Sequence, residues 1–74
     1  MKNNPDFLKF LKHVGAKLRK MRVSRGWSLE DTEDHGWHEW RRLQQIESGQ
    51  NITLATLWKV AELYNIPPAE ILKD

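Results

Sequence analysis

Arg42-Leu43-Gln44-Gln45-Ile46-Glu47-Ser48-Gly49 is the stretch on which the reading of this chain turns. At 100° per residue, Leu43 and Ile46 fall within about 60° of each other with Glu39 between them, so one side of the segment is suited to burial. Arg41, Gln44 and Gln45 fall on the opposite side, with Trp40 at one border and Arg42 at the other. The pattern predicts a short helix from Glu39 to Glu47, closed by Gly49. Its outer face carries tips that match base edges: arginine offers two donors to guanine O6 and N7, and glutamine a donor and an acceptor to adenine. Such residues are also common on solvated helix faces, so the context must decide what they do.

That context is helical on both sides. Asn4-Pro5 predicts a helix start, with an N-cap followed by proline where no amide hydrogen is missed. Phe7, Phe10, Leu11, Val14, Leu18 and Met21 then repeat at helical spacing up to about Ser24, and Gly26 is a C-terminal stop. Ser28-Leu29-Glu30-Asp31 fits the capping box that opens a short second helix ending near His35-Gly36. In the turn that follows, Gly36 is expected to take the positive backbone angle and Trp37 to pack inward against Trp27. Beyond Gly49, Thr53 caps a fourth helix with Leu54, Leu57, Val60, Ala61 and Tyr64 on its inward stripe. Pro67-Pro68 is expected to halt it and begin a last helix, Ala69 to Lys73, from which Ile71 and Leu72 pack back. The expected fold is all-α, a single domain over residues 1–74 with residues 1–5 as an N-terminal tail.

Composition narrows the function. Seventy-four residues without cysteine must build a modest core from side chains alone, with no disulfide and no thiolate zinc site. No apolar run approaches the roughly 20 residues that span a bilayer, and no secretory signal opens the chain, so a cytoplasmic location with no membrane partner is expected. Net charge is only +2, but it is unevenly spread. Residues 1–26 hold eight lysines and arginines against one acid, Asp6, whereas residues 28–39 hold Glu30, Asp31, Glu33, Asp34 and Glu39 with no lysine or arginine. A basic first helix suits a polyanion or is a solvated face. His35 and His38 lack third and fourth ligands at familiar spacing, and neither a phosphate loop nor a nucleophile with its base is present, so no metal, cofactor or catalysis is expected.

From Gly15 to about Leu72 the sequence resembles the XRE family of helix-turn-helix proteins, which includes the phage Cro and repressor DNA-binding domains. The matching marks are Leu18, Arg22, Gly26, Ser28, Leu43, Ile46, Glu47 and Gly49, then Asn51, Thr53-Leu54, Leu57, Ala61, Leu63, Ile66 and Ile71-Leu72. The resemblance implies a compact five-helix, lambda-repressor-like domain with the helix-turn-helix at about residues 28–47 and the third helix in the major groove of double-stranded DNA. Carried over by position, Trp40, Arg41 and Gln45 would read bases, with Gln44 beside them, and Asn51 and Thr53 would meet phosphates; Arg42, at the border of the face, is expected among the DNA-binding residues as well. Arg22 and Glu47 match a structural ion pair. A bacterial or phage transcriptional regulator acting as a homodimer is implied, with Trp58, Tyr64 and residues 66–72 as the expected dimer surface and Phe7, Leu8 and Phe10 as the second choice.

Three positions depart from the family pattern. Leu29 stands where glutamine commonly touches phosphate, Glu33 where a small alanine lets helices approach, and Trp37 in place of a turn glycine. With the acidic second helix, these departures sustain the alternative of a degenerate scaffold that meets a protein partner.

Overall fold

The computed structural model describes residues 4–73, so the expected tail at Met1–Asn3 lies outside the described residues. Five helices follow in order: α1 (Pro5–Ser24), the 3-10 helix η1 (Glu30–His35), α2 (Trp40–Glu47), α3 (Leu54–Tyr64) and α4 (Pro68–Leu72). No strand occurs among the described residues. Asn4 starts α1 as its N-cap, its side-chain oxygen accepting from the amides of Asp6 and Phe7, so Asn4 and Pro5 belong to the helix start rather than to a tail.

The second element is a 3-10 helix rather than an α-helix. Ser28 and Asp31 form the reciprocal capping box, with the Asp31 amide donating to the Ser28 hydroxyl at 3.1 Å and the Ser28 amide to the Asp31 carboxylate at 2.8 Å. Hydrogen bonds that Ser28 gives to the carboxylate, the backbone one foremost, hold the Asp31 carboxyl below its usual range. Thr32 is the fully buried side chain of η1, while Glu33 points outward. The small residue facing the core is therefore Thr32, one place before Glu33, which stands at the alanine position of the family that the sequence resembles.

Two endings also differ from expectation. Asn65, in the left-handed region at φ 54°, stops α3 before the prolines, and the Ile66 amide closes the last turn on the Ala61 carbonyl at 3.0 Å. Pro68 then starts α4 one residue earlier than expected, and α4 ends at Leu72. Leu54, expected on the inward stripe, is 81% exposed, because the first turn of α3 that it opens projects past the core. Leu72 and Phe10 are also largely exposed, at 44% each.

The core joins Val14 and Leu18 of α1, Trp37, Leu43 and Ile46, Leu57, Val60, Ala61 and Tyr64 of α3, and Ile71 of α4. Full burial of a side chain such as Leu18 or Ile71 contributes roughly 1.5–3 kcal/mol. Trp27 packs at the margin, stacked on His35 at 3.8 Å between ring centroids and facing Tyr64 at 5.9 Å. Arg25 locks this corner: it donates to the carbonyls of Met21 and Tyr64 and lies 4.9 Å over the Tyr64 ring.

Gly15 sets how α1 crosses α2. A Cβ built on it would stand 2.4 Å from the Glu47 carbonyl oxygen and 2.6 Å from that of Ile46, so only hydrogen fits between the two backbones. Gly15→Ala is expected to lower stability by about 1–3 kcal/mol in urea denaturation, despite alanine's better helix propensity, because rigid backbone must move.

Tyr64 adds a pH dependence. Its hydroxyl is buried with no hydrogen-bond partner among the described residues, and burial, helped by Glu47, pushes its ionisation up to about 12. A raised folded-state value favours the neutral phenol in the fold, so this stability is complete below the ordinary value of about 10 and is lost as pH rises toward 12. Tyrosinate absorbance should therefore appear only at or beyond the alkaline unfolding transition. Tyr64→Phe should melt no lower than the parent at neutral pH and should lose less stability above pH 10.

Candidate nucleic-acid interface

Leu43 and Ile46, 0% and 1% exposed, fasten one side of α2 to the core and leave Arg41, Gln44 and Gln45 fully on the solvent side. Trp40 and Arg42 are half-buried at the borders of that face. The Arg41 guanidinium lies 4.7 Å over the Trp40 ring, which holds it at the start of the helix by a cation–π contact. Arg42 turns toward the helix exit, donating to the Gln50 side-chain oxygen at 3.0 Å. This bond ties the helix to the loop carrying Asn51, which is exposed, and Thr53, whose hydroxyl caps α3 by accepting from the Thr56 amide at 3.1 Å. Five of the seven residues expected to meet nucleic acid thus share one short helix, and the other two occupy the loop that Arg42 braces.

Two devices orient this helix. Arg22 donates through Nε and Nη2 to the two carboxylate oxygens of Glu47, at 2.8 and 3.0 Å, and through Nη1 to the Trp27 carbonyl at 2.8 Å. Both side chains of the ion pair are under 10% exposed. The Glu47 hydrogen bond raises the Arg22 protonation equilibrium above its ordinary value, so the pair stays charged. One planar guanidinium therefore connects the end of α1, the segment before η1 and the end of α2.

At the other end of α2, the turn is rebuilt around glycine and tryptophan. Gly36 takes φ 102°, a conformation a Cβ disfavours, and lets the chain reverse after His35. Trp37, 9% exposed, joins the core and donates its indole N–H to the Glu39 carbonyl at 2.7 Å. Glu39 is extended rather than helical and serves as the N-cap without a side-chain capping bond, so α2 begins at Trp40, one residue later than expected. His35 is engaged with Trp27, and among the described residues no group of three or more histidines and carboxylates is placed to hold a metal ion.

Sequence reasoning passed over Gln50 and the indole donation of Trp37. The Arg42–Gln50 bond spans eight residues across a helix end, a separation that no periodicity marks. Tyr64 was expected on a dimer surface, yet it is 2% exposed and belongs to the core. Trp58, by contrast, is 61% exposed, and Leu8 and Phe10 are 44% exposed.

A family model described as a helix-turn-helix domain matches residues 15–74, spanning η1, α2 and the helices around them. No curated protein and no solved structure matches the chain.

Arg22→Ala should lower stability by about 3 kcal/mol or more in thermal or urea unfolding, because it strands the buried Glu47 carboxylate. Arg22→Lys should recover only part of the loss, since a point charge cannot reproduce the fork that reaches both Glu47 oxygens and the Trp27 carbonyl.

Proposed function

The chain belongs to this family of helix-turn-helix domains, and from that premise we propose that it binds duplex DNA in a sequence-specific manner, with α2 in the major groove. The observation that carries the reading is the single outward face of Arg41, Gln44 and Gln45 on a helix held from behind by Leu43, Ile46 and the Arg22–Glu47 pair. Arg41 suits a guanine, and Gln44 and Gln45 suit adenines, each good bidentate pair contributing roughly 1–3 kcal/mol of discrimination. Trp40 borders the groove, and Arg42, Asn51 and Thr53 serve the phosphates, where donors fix register without reading sequence. One eight-residue helix gives limited contact, so the protein acts as a homodimer on half-sites about 34 Å apart, in the manner of a small transcriptional regulator. The exposed Trp58, beside Ile66, Pro67 and Pro68, is the apolar surface proposed for that dimer.

The acids of η1 favour a second reading. Glu30, Glu33 and Asp34 are exposed on the element that would cross the DNA backbone, and Leu29 there offers no donor. A scaffold in this state would meet a protein partner instead of phosphates. Titration with labelled random duplex separates the two, because the first reading requires duplex binding that weakens steeply between roughly 50 and 200 mM salt, whereas the second leaves no duplex binding at any salt.

Selection of binding sites from random duplexes, followed by fluorescence anisotropy on the enriched site, tests the first reading. The double variant Arg41→Ala/Gln45→Ala should keep the parent's melting temperature and lose about tenfold or more of the preference for that site over random duplex. Unchanged preference would remove α2 as the reader.

A further inference from the structure

The basic half of the chain is not used up by the interface described above. Of the cations on α1, Arg22 is committed to Glu47, and Lys17 donates to the Lys73 carbonyl. Lys9, Lys12, Arg19 and Lys20 are all exposed and make no ion pair or hydrogen bond among the described residues. On a helix of 3.6 residues per turn these four fall within about 100° of one another, a single cationic stripe. Asp6, the one acid of α1, sits in its first turn, where it complements the helix dipole.

The two halves of the stripe have different surroundings. α1 crosses α2 at Gly15, and one turn earlier Lys12 lies against Gly49, the second residue beyond the end of α2. The Lys12 Cα is 3.4 Å, and its Cγ 2.9 Å, from where a Gly49 Cβ would stand. Lys12 is thus seated at the exit of α2, beside the loop that runs through Gln50 and Asn51 to Thr53. Lys9 lies about one turn nearer the start of α1, about 60° around the helix from Lys12. Arg19 and Lys20 lie toward the end of α1 that leads into the acids of η1, of which Glu30 is close enough to act on Arg22. Arg19 and Lys20 are thus nearer in the chain to the acids of η1 than Lys9 and Lys12 are. Residues 5–14, which carry Lys9 and Lys12, also precede the segment matched by the family model, although α1 runs through them unbroken.

We infer that the first half of α1 is a second DNA-contacting element, in which Lys12 and Lys9 bind the phosphodiester backbone beside the groove entered by α2, next to the Asn51 and Thr53 contacts. The inference rests on the duplex-binding reading above. It extends that reading with two phosphate contacts outside the helix-turn-helix, which lengthen the footprint and steepen the salt dependence without altering base choice. A lysine is suited to this role because its ammonium acts as a point charge on a flexible stem and tolerates any local sequence.

The test compares three forms of the full chain on one fluorescein-labelled mixed-sequence duplex: the parent, Lys9→Ala/Lys12→Ala, and Arg19→Ala/Lys20→Ala, which removes the same charge from the other half of the stripe. All four positions are exposed, and far-ultraviolet circular dichroism verifies that each form is folded. Each phosphate contact steepens the plot of log K against log salt by about 0.9. The Lys9/Lys12 variant should therefore show a slope shallower by about 1.8, so that the parent's affinity advantage shrinks about tenfold between roughly 50 and 200 mM salt. The Arg19/Lys20 variant should keep the parent's slope. A Lys9/Lys12 variant with the parent's slope, or equal changes in both variants, overturns the inference and leaves duplex binding standing. A parent that binds no duplex at any salt overturns both.

Discussion

The structure hangs on the Arg22–Glu47 pair. Its guanidinium has three partners, two carboxylate oxygens at the end of α2 and the Trp27 carbonyl between α1 and η1, and neither charge is open to solvent. Burying two charges is costly, and an apolar pair of similar shape would often be as stable. What the ion pair supplies is direction. A fork that must satisfy two oxygens in one plane admits few orientations of α2, whereas aliphatic side chains would tolerate a range of them. The core residues Leu43 and Ile46 hold α2 down, and the ion pair sets how it points.

The remainder of the interface follows from that fixed helix. Trp37 secures its start through the Glu39 carbonyl, and Gln50 secures Arg42 at its exit. Trp40 restrains Arg41 between them. The Gln50 and Trp40 contacts restrict two arginine side chains in advance, and ordering a free rotamer-rich group costs about 0.5–1.5 kcal/mol. Charge is arranged along the chain in the opposite sense at the two ends of α1, with unpaired lysines at the first and the acids of η1 beyond the last. Of those acids, Asp31 is spent on capping its own helix, which leaves Glu30, Glu33 and Asp34 as the outward negative charge.

Much of the fold was legible because it is written in local rules. The Asn4-Pro5 start, the Ser28–Asp31 box, the Thr53 cap and the 3.6-residue stripe of α1 each depend on residues within a few positions of one another. The outward placement of Arg41, Gln44 and Gln45 followed from the same periodicity. What was not legible depends on distance or on small energy differences. Nothing local distinguishes a 3-10 helix from an α-helix in six residues of which four are acidic, and the buried position there is Thr32 rather than residue 33. Leu54 seemed inward because it fits the stripe of α3, but the first turn of that helix projects past the core. Asn65 was overshadowed by the two prolines after it, though a left-handed asparagine ends a helix as well. Gly15 reads in sequence as a defect in the middle of a helix, and only the crossing of α1 and α2 shows what it is for.

That crossing bears on how such a protein can change. Where two helices meet through interdigitating side chains, replacing residues on one shifts the angle of both, and recognition drifts along with packing. Here the contact is backbone against backbone, at a point with no side chain to swap. The three exposed positions on the far side of α2, Arg41, Gln44 and Gln45, take no part in that joint. If the proposed reading holds, they form an exchangeable cassette: a library built there would explore new target preferences on an unchanged chassis, with the helix delivered at one pose to every variant.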